Sequence, residues 1–251
     1  MCAEYNLKAT EKDLSTLLDT GIFNSSESSW DLHVRLYGIA PVLFMREGKI
    51  IVEDMHFSFL PPGSRIPFSA NTRLDDWDEH RGLSLVYQRP TWRESFLKRR
   101  CVIPVTHFLE PIYKGEFAGK MMAFFSPDSP VLFIAGIYNE TGDTKTGEVY
   151  TGFSMITDFA HPYVRKIGHH RTVVTLSPEA ALKWIQEKEI EGKQGVQFLL
   201  KNNDPIELEA KPAREMKGWK ARVKNAERKD AAENAIQDRV LKARHQQGLS
   251  Y

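Results

Sequence analysis

The sequence has little cysteine, no long apolar run and no dominant sign of charge. Only two cysteines, Cys2 and Cys101, occur among 251 residues. That scarcity excludes a disulfide scaffold and a Cys-based zinc site. No apolar stretch approaches the roughly 20 residues that span a bilayer, so no membrane contact is expected. The opening residues, MCAEYNLKATEKD, lack the basic start and apolar segment of a signal peptide. A reducing, cytoplasmic location is therefore expected. Lys and Arg total 34 against 33 Asp and Glu, a net charge of +1. Taken alone, that balance argues against a chain dominated by nucleic-acid affinity. HExxH, CxxC and EF-hand signatures are also missing, and no metal or cofactor is expected.

What is present suits a globular protein. The hydrophobic share is 41% and the charged share 27%, and a chain of this length can bury a core without staples. Thr10 to Thr20 reads as a helix, with Thr10 as N-cap, Asp13 at the third helical position and Gly21 to end it. Strand patterns run from Asp31 to Arg73, punctuated by Pro41, Gly48 and Pro61-Pro62-Gly63. Thr91 and Glu94 form a capping-box pair for a short helix through Lys98. Further strands are expected at Cys101–Ile103, Lys120–Phe125, Val131–Ile137, Val149–Ile156 and Arg171–Leu176, and a helix from Pro178 to about Lys188. Regular βαβ alternation is absent. The reading is an α+β fold, with a mixed, largely antiparallel twisted β core and flanking helices.

The composition shifts after about residue 203. Lys211 to Arg244 reads as one long, charged helix holding 11 Lys/Arg against 5 Asp/Glu. That local +6 leaves −5 for the rest of a chain whose total is +1. The expected organisation is a body over residues 1–203 and a charged helical C-terminal extension over 204–251. The extension reads either as a solvated helix or as a basic arm for nucleic acid or a partner.

Four places carry candidate chemistry. Removal of Met1 leaves Cys2 with an α-amine beside its thiol, and such an aminothiol closes on an aldehyde to a thiazolidine. The thiolate alone is also a nucleophile. Phe68-Ser69-Ala70-Asn71-Thr72-Arg73 is a polar patch in which Asn71 can cap, turn or hold a substrate. Glu110, flanked by Phe108 and Leu109, is placed for desolvation and a raised pKa. Gly168-His169-His170-Arg171 sits at a strand entrance and suits proton transfer and phosphate binding.

Taken in order, these segments resemble the SOS response associated peptidase (SRAP) family of abasic-site processing proteins, over roughly residues 1–190. Tyr37-Gly38-Ile39-Ala40-Pro41 is similar to Y-N-I-A-P, and Met55 to Pro61 to M-R-W-G-L-I-P. Asn71-Thr72-Arg73 is similar to N-A-R, and Arg99 to Pro104 to R-R-C-L-I-P. His107 to Glu110 falls on G-F-Y-E, Ala135 to Glu140 on A-G-L-W-E, and His169-His170-Arg171 on H-D-R.

The resemblance implies an SRAP-like catalytic domain acting on single-stranded DNA. Cys2, exposed by removal of Met1 in an autocatalytic peptidase step, captures the aldehyde of an abasic site as a thiazolidine DNA–protein crosslink. Catalytic roles then fall on Cys2, Asn71, Glu110 and His169. DNA contacts fall on Arg73, Arg171, Phe57, Pro41 and Thr157, with Phe57 at the family's tryptophan position. A monomer is expected, nucleoid-associated in a bacterial or phage setting. The sequence departs from the family at Ala3-Glu4, where the family has Gly-Arg, and at Pro111 and Thr172-Val173. Two other readings stay open: a cysteine peptidase or amidohydrolase, and a non-catalytic single-stranded DNA-binding module.

Overall fold

A computed structural model describes residues 4–22, 29–61, 64, 66–67, 71–142, 149–186, 189–203 and 207–249. Cys2, with Met1 and Ala3, lies outside the described residues, as do residues 68–70 of the polar patch.

The chain opens with β1 (Glu4–Thr10) and α1 (Glu11–Leu18), followed by β2 (Ser29–Arg35), β3 (Ile39–Arg46), β4 (Lys49–His56) and β5 (Asn71–Arg73). The hairpin of β6 (Asp75–Asp78) and β7 (Gly82–Leu85) leads to α2 (Pro90–Lys98). Next come β8 (Arg100–Val105), β9 (His107–Pro111), β10 (Lys120–Phe125), β11 (Leu132–Gly142) and β12 (Val149–Phe159). The short helix α3 (Pro162–Ile167) precedes β13 (Arg171–Val173) and β14 (Thr175–Leu176). The chain finishes with α4 (Pro178–Gln186), α5 (Gly192–Asn202), β15 (Glu209–Glu215) and α6 (Lys220–Gln246).

Two large sheets form a mixed α+β fold. One runs β15-β10-β9-β1-β2, all antiparallel. The other closes on itself: β12 pairs β4, then β3, β8 and β11 follow, and β11 returns to β12. Closure removes free edges around the ring. Alternate residues of its strands feed two cores. Leu43, Val102, Phe133 and Ala135 face the helices with Phe96 and Trp184. Val42, Phe44, Cys101, Ile103 and Ile134 face inward with Tyr5, Phe108 and Phe124. Both faces are buried, which is why these strands read as continuous apolar runs. No helix of the described residues is long and apolar enough to cross a membrane.

Several local expectations are met and others are corrected. Thr10 and Asp13 form the expected capping box on α1, with the Asp13 amide donating to Thr10 Oγ1 at 3.1 Å. The helix ends sooner than Gly21, on Asp19 in the left-handed region. The box expected at Thr91 and Glu94 is not made. Pro90 takes the first turn instead, and Glu94 pairs with Arg99 at 3.1 Å. The expected single helix from Lys211 to Arg244 is really a strand and then a helix. Pro212 sits in β15, and Gly218 turns at φ 62° before α6 begins. A proline is tolerated there because β15 is an edge strand. The boundary expected at 203/204 therefore does not divide the structure, since β15 completes the first sheet.

Candidate functional site

Glu110 and His169 meet at the heart of the candidate site. Glu110 lies on β9, where Phe108 to Glu110 are all buried and Glu110 itself has no solvent exposure. Burial pushes its carboxyl up to about 7. His169 arrives from the end of α3. That helix stops on Gly168 at φ 119°, where a Cβ would come within 3.1 Å of Ile112 and 3.3 Å of the Lys114 carbonyl. Glycine is what fits there, and the turn aims His169 back toward β9.

The tautomer of His169 follows from its neighbours. Nδ1 lies 2.7 Å from the Arg171 carbonyl, an acceptor, so Nδ1 carries the proton and donates. Nε2 then offers a lone pair, and it lies 3.4 Å from Glu110 Oε2. Burial pushes the imidazole down to about 3, so the ring is neutral at physiological pH. A carboxyl that titrates near neutrality thus faces a neutral imidazole acceptor. That arrangement can give and take a proton between two buried side chains.

The sheet gathers the remaining polar candidates around one end of β12. Strand β5 runs parallel to it, with Asn71 beside Met155 and Arg73 beside Thr157. Thr72 Oγ1 and Ser154 Oγ, 2.7 Å apart, lock this pairing from within. Strand β13 flanks the same end, with Arg171 opposite Phe159. Asn71 is buried, and Arg73 keeps 28% of its side chain exposed. Arg171 is 1% exposed; its guanidinium donates to the Thr157 carbonyl at 3.1 Å and lies over the Phe159 ring at 5.1 Å.

Three expected DNA contacts are placed differently. Phe57 is fully buried, edge-on to Tyr5 at 5.4 Å and stacked on Phe153 at 5.1 Å, so it presents no face to a base. Pro41 is buried within β3. Thr157 is buried, and its carbonyl accepts from Arg171 and from the Leu74 amide. These three shape the sheet beneath the site. The two adjacent histidines stack, with ring centroids 5.1 Å apart, yet serve different partners: His169 Nε2 faces Glu110, and His170 Nδ1 lies 2.6 Å from Asp230 Oδ1.

The chain start reaches this site by covalent connection. Glu4 pairs with Leu109, the residue before Glu110. Its carboxylate, the departure noted in the sequence, is internally compensated. It accepts from Arg214 at 2.8 and 2.6 Å and also contacts His33. Burial raises this carboxyl, but the bonds from Arg214 and His33 outweigh it and hold the group below its usual range. Arg214 stands on β15, so the basic tail supplies the cation that offsets Glu4.

Sequence reasoning missed the acidic face of α6. Glu233 forms ion pairs with both Arg73 and Arg171; Asp230 pairs with Lys114 and contacts His170, whose imidazole burial pushes down to about 4. Arg244, 2% exposed, binds Asp75 and Asp158. The available signal was spacing: Asp230, Glu233 and Gln237 recur on one helical face inside an otherwise basic run. The other cysteine, Cys101, is fully buried, and burial pushes its thiol well up, so it is unsuited to nucleophilic work.

Solved structures share the fold. A protein from Bacteroides thetaiotaomicron superposes with a TM-score of 0.67 at 20% identity, over 85% of this chain and 92% of that one. A protein from Bordetella bronchiseptica gives 0.65 at 19% identity, over 85% and 100%. A phage-related protein from the same organism gives 0.59 at 15%, over 85% and 95%. No curated protein matches the sequence. The sequence profile described as SOS response associated peptidase (SRAP) matches residues 1–216. The chain therefore belongs to the SRAP family, a family associated with the response to DNA damage.

Proposed function

We propose that this protein captures abasic sites in single-stranded DNA through Cys2, once Met1 has been removed. One observation carries the reading: a buried Glu110–His169 pair beside the strand on which the chain begins. Cys2 is two residues from Glu4, and two residues of chain reach at most about 7 Å. A tether of that length, starting beside Leu109, would let the α-amine and thiol of Cys2 work at the pair.

The chemistry runs as follows. The α-amine adds to C1′ of the ring-opened sugar and gives a carbinolamine. Protonated Glu110 supplies the proton with which the hydroxyl leaves as water, the nitrogen returns its proton to the Glu110 carboxylate, and an imine forms. The thiolate then adds to the imine carbon, and the ring nitrogen takes up a proton. The product is a thiazolidine, with no oxidant or cofactor consumed. Neutral His169, through Nε2, passes the proton to and from Glu110. Asn71 orients the adduct, Arg73 faces the flanking phosphates, and Arg171, covered by Glu233 in the structure, joins it once that carboxylate moves aside. Both the crosslink and the removal of Met1, as a peptidase step at the same site, belong to this proposal.

The test is direct. The purified protein is incubated with a single-stranded oligonucleotide carrying one abasic site and run on a denaturing gel. A heat-stable adduct is expected, absent in Cys2→Ala, from a protein whose mass lacks Met1. No adduct, or an adduct that persists in Cys2→Ala, overturns the proposal. Unchanged DNA retention by Cys2→Ala with no adduct from the parent would favour a non-catalytic binding module.

A further inference from the structure

Helix α6 lies wholly outside the region matched by the family profile, which ends at residue 216. Its inward face nonetheless delivers carboxylates onto the cations of the candidate site. Glu233 bridges the guanidinium groups of Arg73 and Arg171, its Oε2 3.5 Å from Arg171. One turn earlier, Asp230 bridges Lys114 and His170. Residues three apart on a helix set their Cβ atoms about 5–6 Å apart, comparable to the spacing of adjacent phosphates along an extended strand. Two anions at phosphate-like spacing therefore sit on three cations, Arg73, Arg171 and Lys114, with His170, whose imidazole burial pushes down to about 4, as a neutral neighbour.

The attachment of α6 is uneven. Toward its C-terminal end, Val240 and Arg244 are buried, and Leu249 just beyond is buried too. From Lys220 to Arg239 the only buried residue is Glu233. That half is held by polar contacts: Arg165 donates to Asn234 at 2.5 Å and also binds Gln237, and Arg239 donates to Glu79 at 2.7 Å. Few buried apolar contacts mark the segments that open at low cost.

We propose that α6 is a built-in competitor for the DNA backbone. Asp230 and Glu233 occupy the phosphate positions, and a single strand enters only by displacing the N-terminal half of the helix, with the Arg244 end as the anchor. This rests on the reading of Arg73 and Arg171 as phosphate-binding groups. The device sets a threshold: weakly held DNA is turned away, and a strand captured covalently keeps the helix displaced.

The test uses full-length protein and a fluorescein-labelled single-stranded oligonucleotide without a lesion, read by anisotropy. Asp230→Asn/Glu233→Gln is expected to bind about tenfold tighter than the parent. Glu227→Gln/Asp238→Asn makes the same change of net charge at exposed positions of the same helix, and should stay within about twofold of the parent. Addition of DNA to the parent should raise hydrogen exchange across 220–239. Equal affinity of the two double variants, or undiminished protection of 220–239 on saturation with DNA, overturns the proposal. If the first variant melts early, Asp230→Asn alone gives the same readout. The abasic reading fails separately: the parent then forms no adduct with lesion-bearing DNA, while the affinity difference on plain DNA stands. No binding of DNA by any variant overturns the competitor as well.

Discussion

Glu110 and His169 are buried much as Asp75, Asp158 and Arg244 are, but the two groups are kept in the interior by opposite means. The first pair gives up charge. Burial drives the carboxyl toward its acid and the imidazole toward its base, so the carboxyl titrates near neutrality and the imidazole is uncharged. The second group keeps its charge and satisfies it with partners. Burial raises both aspartates. For Asp158 it is outweighed by Arg244 and then Arg171, which hold the carboxyl below its usual range, while Asp75 stays raised. A proton that can leave or arrive is useful for chemistry, and a locked ion pair is useful for geometry. The contrast separates the groups that do the reaction from those that fix the frame around it.

The sharpest way to break this comparison is to remove the proton of Glu110. Glu110→Gln keeps shape and neutrality but cannot titrate. The rate of adduct formation should fall by about two to four orders of magnitude, with the fold intact by circular dichroism. A rate within about threefold of the parent would return Glu110 to a packing role. The framework responds in the other currency. Arg244→Met leaves Asp75 and Asp158 buried without their cation, and urea unfolding should show a loss of about 3–5 kcal/mol. A loss under about 1 kcal/mol would mean that solvent reaches the cluster and that the anchor of α6 is not there.

How much of this was legible in the sequence differs between the two groups for the same reason. Glu110 could be found because its desolvation is local: Phe108 and Leu109 flank it on a strand. His169 stood out at a strand entrance behind a glycine. The partners of Arg73 and Arg171 could not be found, because Glu233 comes from a helix far along the chain, and only tertiary packing brings the three together. The same blindness hid β15, whose sequence EAKPARE has no apolar alternation. It is a strand because β10 offers an edge, with a register shift between Met121 and Met122. Phe57 shows the converse error. A position inherited from a pattern was read as a stacking wedge, while its burial between Tyr5 and Phe153 depends on closure of the barrel. The opening charge balance also changes meaning. Part of the positive charge of the tail is bound internally, since Arg214 and Arg244 pair with Glu4, Asp75 and Asp158, while Lys220, Lys224, Arg228 and Lys229 stay exposed on α6.

The pH dependence of stability sharpens the contrast further. Glu110 has a folded pKa raised from 4.5 to about 7, so the folded state holds its proton more tightly. Its contribution is complete below about pH 4.5 and is lost as pH rises through 7, by about 3 kcal/mol in all. His169 has a folded pKa lowered from 6.5 to about 3, so its contribution is complete above pH 6.5 and is lost as pH falls toward 3. Unfolding free energies of Glu110→Gln and the parent should therefore diverge between pH 4.5 and 8, with the variant gaining at the alkaline end. A constant difference across that range would show that the carboxyl is ionised and paired in the folded protein.

The smallest effect tests whether the departure at Glu4 weakens the site or is absorbed by the tail. Arg214 and Glu4 form a bidentate, partly exposed pair, and Arg214→Met should cost only about 1 kcal/mol of stability. Its effect on DNA should be larger in proportion. In the proposed complex, loss of Arg214 leaves the Glu4 carboxylate without its bidentate cation near the start of the chain, so affinity for a single strand should fall about three- to tenfold. The double variant Arg214→Met/Glu4→Gln removes the repelling charge together with its partner. It should recover most of that affinity while staying no more stable than Arg214→Met. Recovery would place the compensating cation of this divergent site on β15, near the end of the segment that the family profile matches. Failure to recover would mean that Arg214 meets the phosphates itself, and that the tail belongs to the DNA-binding surface rather than to its repair.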